Sequence, residues 1–145
     1  MKIGVFVIWF LIIVIFTSCT LTPDPTTLEE QAYIDAVMNT PLVFSIPKER
    51  EEEVWGRIQS WIGRYSSMKI QSVSDYVIET YNPSSGEVDF GYSAIKTIVD
   101  DNVEFEVICS CGNMFSGKEA KINAHILAYF ALTGEVDPKF IVRKP

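Results

Sequence analysis

The sequence predicts an α+β domain, a two-layer sandwich in which a curved antiparallel sheet carries two helices on one face, with a short helix in front. Three observations predict it. Val54, Trp55, Ile58, Trp61, Ile62 and Tyr65 form one apolar stripe at helical spacing. From Met68 to Cys111 the period changes to 2, the alternation of strands with one buried face. A second helical run then carries Ala120, Ala124, Leu127, Phe130 and Ala131 on its main buried face. Each helix has one apolar stripe and the sheet one apolar face, so both helices pack on the same side.

Thr27 with Glu30 three places on is a capping box. It opens a short helix to about Met38, with Leu28, Ala32, Tyr33, Ala36 and Val37 on one face, stopped by Asn39-Thr40-Pro41. This helix is expected to pack against the domain edge. Leu42 to Ile46 is a compact β-type run before Pro47. Lys48 to Tyr65 is the clearest helix. Glu49, Glu51, Glu52 and Glu53 sit in its first turns, where the helix dipole favours negative charge. That cluster is read as a solvated helix end rather than a cation site, and the two tryptophans as core.

Met68–Val73 and Asp75–Tyr81 are strand-like, and Asn82 to Gly86 is a strong turn signal. Val88, Phe90, Tyr92 and Ala94 alternate with polar residues, Asp100-Asp101-Asn102 turns the chain, and Val103, Phe105, Val107, Cys109 and Cys111 share the next inward face. Four strands joined by short turns make a meander. Ser116 and Glu119 suggest a second capping box, and Gly134 stops the helix that follows. Phe140, Ile141 and Val142 are expected to add an edge contact, and Arg143-Lys144-Pro145 to fray.

Ahead of all this lies Met1–Cys19: Lys2, then an almost unbroken apolar run from Ile3 to Phe16, then Thr17-Ser18-Cys19. A secretory signal has a basic start, an apolar core of about 7–15 residues and a small-residue exit. A membrane-spanning helix needs roughly 20 apolar residues, and this run ends sooner. Phe16-Thr17-Ser18-Cys19 resembles the lipobox of bacterial lipoproteins, with Phe16 where Leu is usual. The resemblance implies cleavage before Cys19 and attachment of diacylglycerol and further acyl groups such as palmitate to Cys19. An uncleaved span and an ordinary signal cut nearby are the alternatives. The expected organisation is therefore 1–18 signal peptide, 19–41 lipidated Cys, Pro/Thr tether and short helix, and 42–145 α+β domain. Thr20 to Thr26, with two prolines, reads as a stiff tether.

The formal charge is −7, one unit more negative once Lys2 leaves with the signal. An acidic surface repels phosphate backbones, so nucleic acid is excluded as a partner. The expected partners are the membrane, through the N-terminal lipid, and an envelope protein or small ligand. The implied place is the bacterial cell envelope, facing the periplasm or the surface.

Cys109-Ser110-Cys111 is the only cluster with chemistry in reach. Residues two apart on a strand share a face. The pair reads first as two small buried thiols. A disulfide would have to bend the strand. Zinc wants four Cys or His ligands, or three plus water, and with His125 the domain offers three candidates in no standard spacing. His125, grouped with Lys118 and Lys121 on the wheel, reads as an exposed helix residue. No phosphate loop, His-Glu-x-x-His or Gly-x-Ser-x-Gly occurs, so no catalytic residue, metal ligand or cofactor is assigned. The order strand, helix, four strands, helix, with Trp55 and Trp61 in the first helix, the Asp75–Tyr81 strand, the Asn82–Gly86 turn and the long hairpin after it, resembles the TATA-binding-protein-like fold. It also resembles small bacterial lipoproteins of unknown function with that fold. The resemblance brings no catalytic residues. The expected function is a non-enzymatic binding domain, recognising its partner through the sheet's outer face (Tyr76, Ile78 or Val77, Tyr81 and Ile95) or an edge strand. An enzyme with an unconventional carboxylate or Cys site and a passive surface lipoprotein are the alternatives.

Overall fold

The computed structural model describes residues 27–113 and 116–141. Met1–Cys19, the tether to Thr26 and Val142–Pro145 lie outside them. The chain runs α1 (Leu28–Asn39), β1 (Val43–Pro47), a single 3-10 turn (Lys48–Arg50), α2 (Glu51–Tyr65), β2 (Ile70–Val73), β3 (Val77–Thr80), β4 (Phe90–Val99), β5 (Asn102–Cys111), α3 (Gly117–Thr133) and a closing 3-10 turn (Pro138–Phe140). The five strands form one antiparallel sheet in the order β1-β5-β4-β3-β2. The first strand therefore adds beside the last, and the meander lies on its other side.

One face of that sheet is buried. Phe44 and Ile46 of β1, Val103, Phe105 and Val107 of β5, Phe90, Tyr92 and Ala94 of β4 and Ile78 of β3 all point into it. Both large helices cover it. From α2, Val54, Trp55, Ile58, Trp61 and Ile62 are buried, and Trp55 stacks 6.1 Å from Phe105. Trp61 is 1% exposed. A ring of its size removes about 200 Å² from water, which stabilises the fold by up to about 5 kcal/mol. α3 lies along β5 and packs against α2 and α1. Ala120, Ala124, Ala128 and Ala131 are its small buried residues, which let the helix approach closely.

Two corrections to the sequence reading concern helix faces. In α1, Leu28, Ala32 and Ala36 face solvent, and it is Tyr33, Ile34 and Val37 that turn inward. His125 is buried, only 8% exposed, because α1 covers the side of α3 that the sequence left to water. Its Nδ1 lies 2.8 Å from the Thr40 carbonyl. A carbonyl can only accept, so Nδ1 carries the proton. The second capping box also fails. Ser116 makes no capping bond, and one Glu119 carboxylate oxygen is buried without a partner. The first capping box forms, with Glu30 N–H donating to Thr27 Oγ1 at 3.2 Å and Thr27 N–H to Glu30 Oε2 at 2.9 Å. Val88, expected at the start of a strand, is exposed in the loop before β4.

The end of α3 is held from α2 and the 3-10 turn before it. Arg50 Nη2 donates to the Leu132 carbonyl at 2.8 Å and Arg57 Nη1 to the Ala131 carbonyl at 3.2 Å. Both carbonyls belong to the last turn, which has no helical donors of its own and carries the negative end of the helix dipole. Glu53 bridges the two guanidinium groups, 3.3 Å from Arg50 and 2.5 Å from Arg57. Gly134 then leaves the helix at φ +79°, and a Cβ there would lie 2.8 Å from Arg57 Nη2. Gly134→Ala is expected to lower stability by about 1–2 kcal/mol through left-handed strain. Gly56→Ala, at an exposed helical site with open space around it, should raise stability by roughly 0.5–1 kcal/mol. Urea unfolding midpoints of the two variants should move in opposite directions with unchanged slope.

Candidate functional site

Placing both large helices on one side leaves the sheet's other face open. β-Strand alternation puts Val43 and Ser45 of β1, Glu104, Glu106 and Ile108 of β5, Ser93, Ile95 and Thr97 of β4, and Val77 and Glu79 of β3 on it. The register sets Val43, Glu106, Ile95 and Val77 in one row across four strands. Ile108 lies diagonal to Ile95 across the β4–β5 pair. Val43, Ile95 and Ile108 are exposed, and Glu79, Glu104 and Glu106 give the face its charge. Of the residues the sequence proposed for it, Val77 and Ile95 lie here. Ile78 is in the core. Tyr76 instead lies over the Lys96 ammonium, 5.5 Å from its ring centroid. Tyr81 is exposed just beyond β3.

Lys96 is the polar residue that sequence reading missed. Two places on from Ala94, it continues the inward parity of β4, and it is 8% exposed. Its Nζ lies 2.6 Å from Glu51 Oε1 and 5.3 Å from the Trp55 ring. A charge so placed needs both partners, since a lone buried ammonium is costly. Glu51, a member of the acidic cluster, is thus consumed by an ion pair. The cleft beside it, about 350 Å³, is lined by Lys48, Glu49, Glu51, Glu52, Trp55 and Lys96.

The two cysteines lie on the inner face, opposite Phe90 and Tyr92. Both are free thiols and half-buried. Burial pushes the Cys109 thiol up to about 12, against a smaller lowering by its contact with Tyr92, so it stays protonated at neutral pH and is a poor nucleophile. Burial likewise raises the Tyr92 hydroxyl. Cys111 Sγ donates to the Asn113 carbonyl at 3.1 Å. Among the described residues no three His, Cys, Asp or Glu side chains converge to hold a metal ion.

A second concave surface lies between α1 and α3. The groove, about 360 Å³, is lined by Tyr33, Ile34, Val37, Met38, Ile122, Ile126 and Phe140. Apart from the Tyr33 hydroxyl, its walls are apolar side chains. Ile122, Ile126 and Tyr129 form a second stripe on α3, and that stripe was the signal in the sequence for a covered second face. The groove's outer wall is tied down by a clamp. Tyr33 stacks 5.4 Å from Phe140 and meets Tyr129 edge-on at 5.5 Å. The Asp137 N–H donates to the Tyr33 hydroxyl at 3.0 Å, and Lys139 pairs with Glu30.

No protein-family model matches the chain, and neither the curated proteins nor the solved structures yield a match to it.

The clamp has a defined pH range. The Lys139 ammonium lowers Glu30 below the ordinary carboxylate value of 4.5, and Glu30 in turn raises Lys139 above 10.5. A lowered carboxylate stabilises above its unfolded value and loses that effect as pH falls through the folded one; a raised lysine behaves in the opposite sense. The Glu30–Lys139 pair should therefore hold α1 between pH 4.5 and 10.5 and loosen in acid as pH falls below 4.5. Hydrogen exchange of the α1 amides should show that acid loosening, and Lys139→Ala should produce it already at neutral pH.

Proposed function

We propose that this chain is a lipid-anchored lipoprotein of the bacterial envelope, held at Cys19 and facing the periplasm or the surface. Its domain works by binding another envelope protein rather than by catalysis. The address is supported by Met1–Cys19, where the apolar run is too short for an ordinary span and ends in a lipobox-like Cys. The strand order β1-β5-β4-β3-β2, with a helix after β1 and another after β5, supports a TATA-binding-protein-like arrangement. DNA binding does not come with it, since the chain is acidic and the proposed address is exported.

The observation that carries the binding reading is the open outer face. Val77, Ile95 and Ile108 are apolar neighbours on it, Glu106 stands between Ile95 and Val43 in the same row, and Glu79 and Glu104 lie beside them. Such a surface is complementary to a protein patch that mixes apolar and Lys/Arg side chains, where the carboxylates steer encounter and the aliphatic side chains lose water on contact.

The two parts of the reading are tested separately. Metabolic palmitate labelling of wild type and Cys19→Ala should show label only in wild type, and equal labelling would remove the anchor. For the face, a photo-crosslinking residue at position 95 in cells should give a discrete adduct. The same residue at position 60, on the exposed side of α2, should not. Ile108→Arg should cut the adduct roughly 5- to 30-fold, the effect of losing an interface anchor of about 1–2 kcal/mol, while melting stays unchanged. A diffuse, equal pattern at both positions would support a passive surface protein instead.

A further inference from the structure

We infer that the groove between α1 and α3 is the docking site for an acyl chain carried by Cys19 of the same molecule, which it shields from water whenever the protein is away from a bilayer. This rests on the lipoprotein reading above.

Chemistry comes first. The groove offers a hydrocarbon lining of Ile34, Val37, Met38, Ile122, Ile126 and Phe140, and its one polar group, the Tyr33 hydroxyl, already accepts the Asp137 N–H. The proton of that hydroxyl is then the one donor left among the lining side chains, too little to specify a polar ligand. Small-molecule sites ordinarily combine an apolar lining with a few placed polar groups. A lining so nearly apolar suits an occupant without polar atoms, and a methylene chain is that occupant. Each methylene buried contributes about 0.8 kcal/mol, so partial insertion already outweighs exposure of the chain to water.

Reach comes second. Cys19 precedes Thr27 by eight residue steps, and Thr27 is the N-cap of the helix that forms one wall. At a rise of about 1.5 Å per residue, the groove's α1 residues lie roughly 9–17 Å along the helix from that cap. Eight residues span about 15 Å as a coil and about 25 Å when prolines extend them. The groove lies within that reach, so the tether confines the acyl chain near it and raises its effective concentration there. A free lipid in dilute solution has no such advantage.

Preorganisation comes third. Stacking of Phe140 on Tyr33, the Asp137–Tyr33 hydrogen bond and the Lys139–Glu30 pair hold the outer wall in place, so binding does not have to order it.

The test uses the full chain produced in bacteria fed a fatty acid that bears a photoreactive diazirine. The protein is purified in mild detergent, the detergent is removed, and the sample is irradiated and digested. Mass spectrometry first reads whether Cys19 carries lipid, which tests the lipoprotein reading alone. It then reads which peptides are crosslinked to the Cys19 peptide. The expected partners are peptides containing Met38, Ile122, Ile126 or Phe140. Met38→Glu, at a partly exposed groove position, should lower those adducts about tenfold or more by placing a charge against the chain. Lipid on Cys19 and the melting temperature should not change. Lipidated Cys19 with adducts spread over the surface, or insensitive to Met38→Glu, would overturn the docking and leave the anchor standing. Groove adducts whose mass is that of a phospholipid would assign the groove to a bilayer lipid and overturn it equally. Absence of lipid on Cys19 would overturn both.

Discussion

The burial of α3 on nearly every side is the constraint on which the rest of the domain depends. Its Ala120, Ala124, Leu127 and Ala131 side chains are buried and the helix lies along β5. Phe130 meets Trp61 of α2 at 5.6 Å. Its Ile126, Tyr129 and His125 side chains are met by α1 and the loop after it. The helix therefore has few positions left to water, and its buried polar groups depend on partners in the protein, one Glu119 oxygen excepted. His125 does so at the Thr40 carbonyl, and the bare carbonyls at the C-terminus do so at Arg50 and Arg57. A helix surrounded in this way cannot shift without breaking contacts to three elements at once.

The same arrangement produces both exposed surfaces. With α2 and α3 committed to one face of the sheet, the other face is left to solvent, and strand parity alone decides that Val43, Ile95 and Ile108 stand there among glutamates. With α1 laid against α3 rather than against the sheet, the two helices meet along a line and leave a groove beside it. The closing turn, carrying Phe140, walls that groove. The reactive-looking residues are elsewhere, with Cys109 held protonated on the inner face and Lys96 locked between Glu51, Trp55 and Tyr76.

Most of the elements were legible because their periods are strong. The α2 stripe, the long β4–β5 hairpin and the Gly134 stop each rest on local pattern, and local pattern survives folding. What was not legible depends on which neighbour covers a face. α1 has apolar residues all round, Leu28, Ala32 and Ala36 on one side and Ile34, Val37 and Met38 on the other, so its own sequence does not choose. Packing against α3 chooses the second set. His125 followed from the same ambiguity, since the face it shares with the Ile122–Ile126 stripe is wet or dry only according to where α1 lies. Lys96 was hidden by its type. Its parity marked it as inward, but a lysine there makes sense only once Glu51 and the two rings are in place. The open face was legible as alternation, though the row from Val43 to Val77 needed the strand register.

A helix packed against β5, α2 and α1 at once should be the last element released, and native-state hydrogen exchange measures that directly. The amides from Ala124 to Ala131, together with those of Val103 to Val107 beneath them, should exchange only through global unfolding and share one opening free energy, while α1 opens at a lower one. Exchange of the α3 amides ahead of those in α2, or in step with α1, would contradict it.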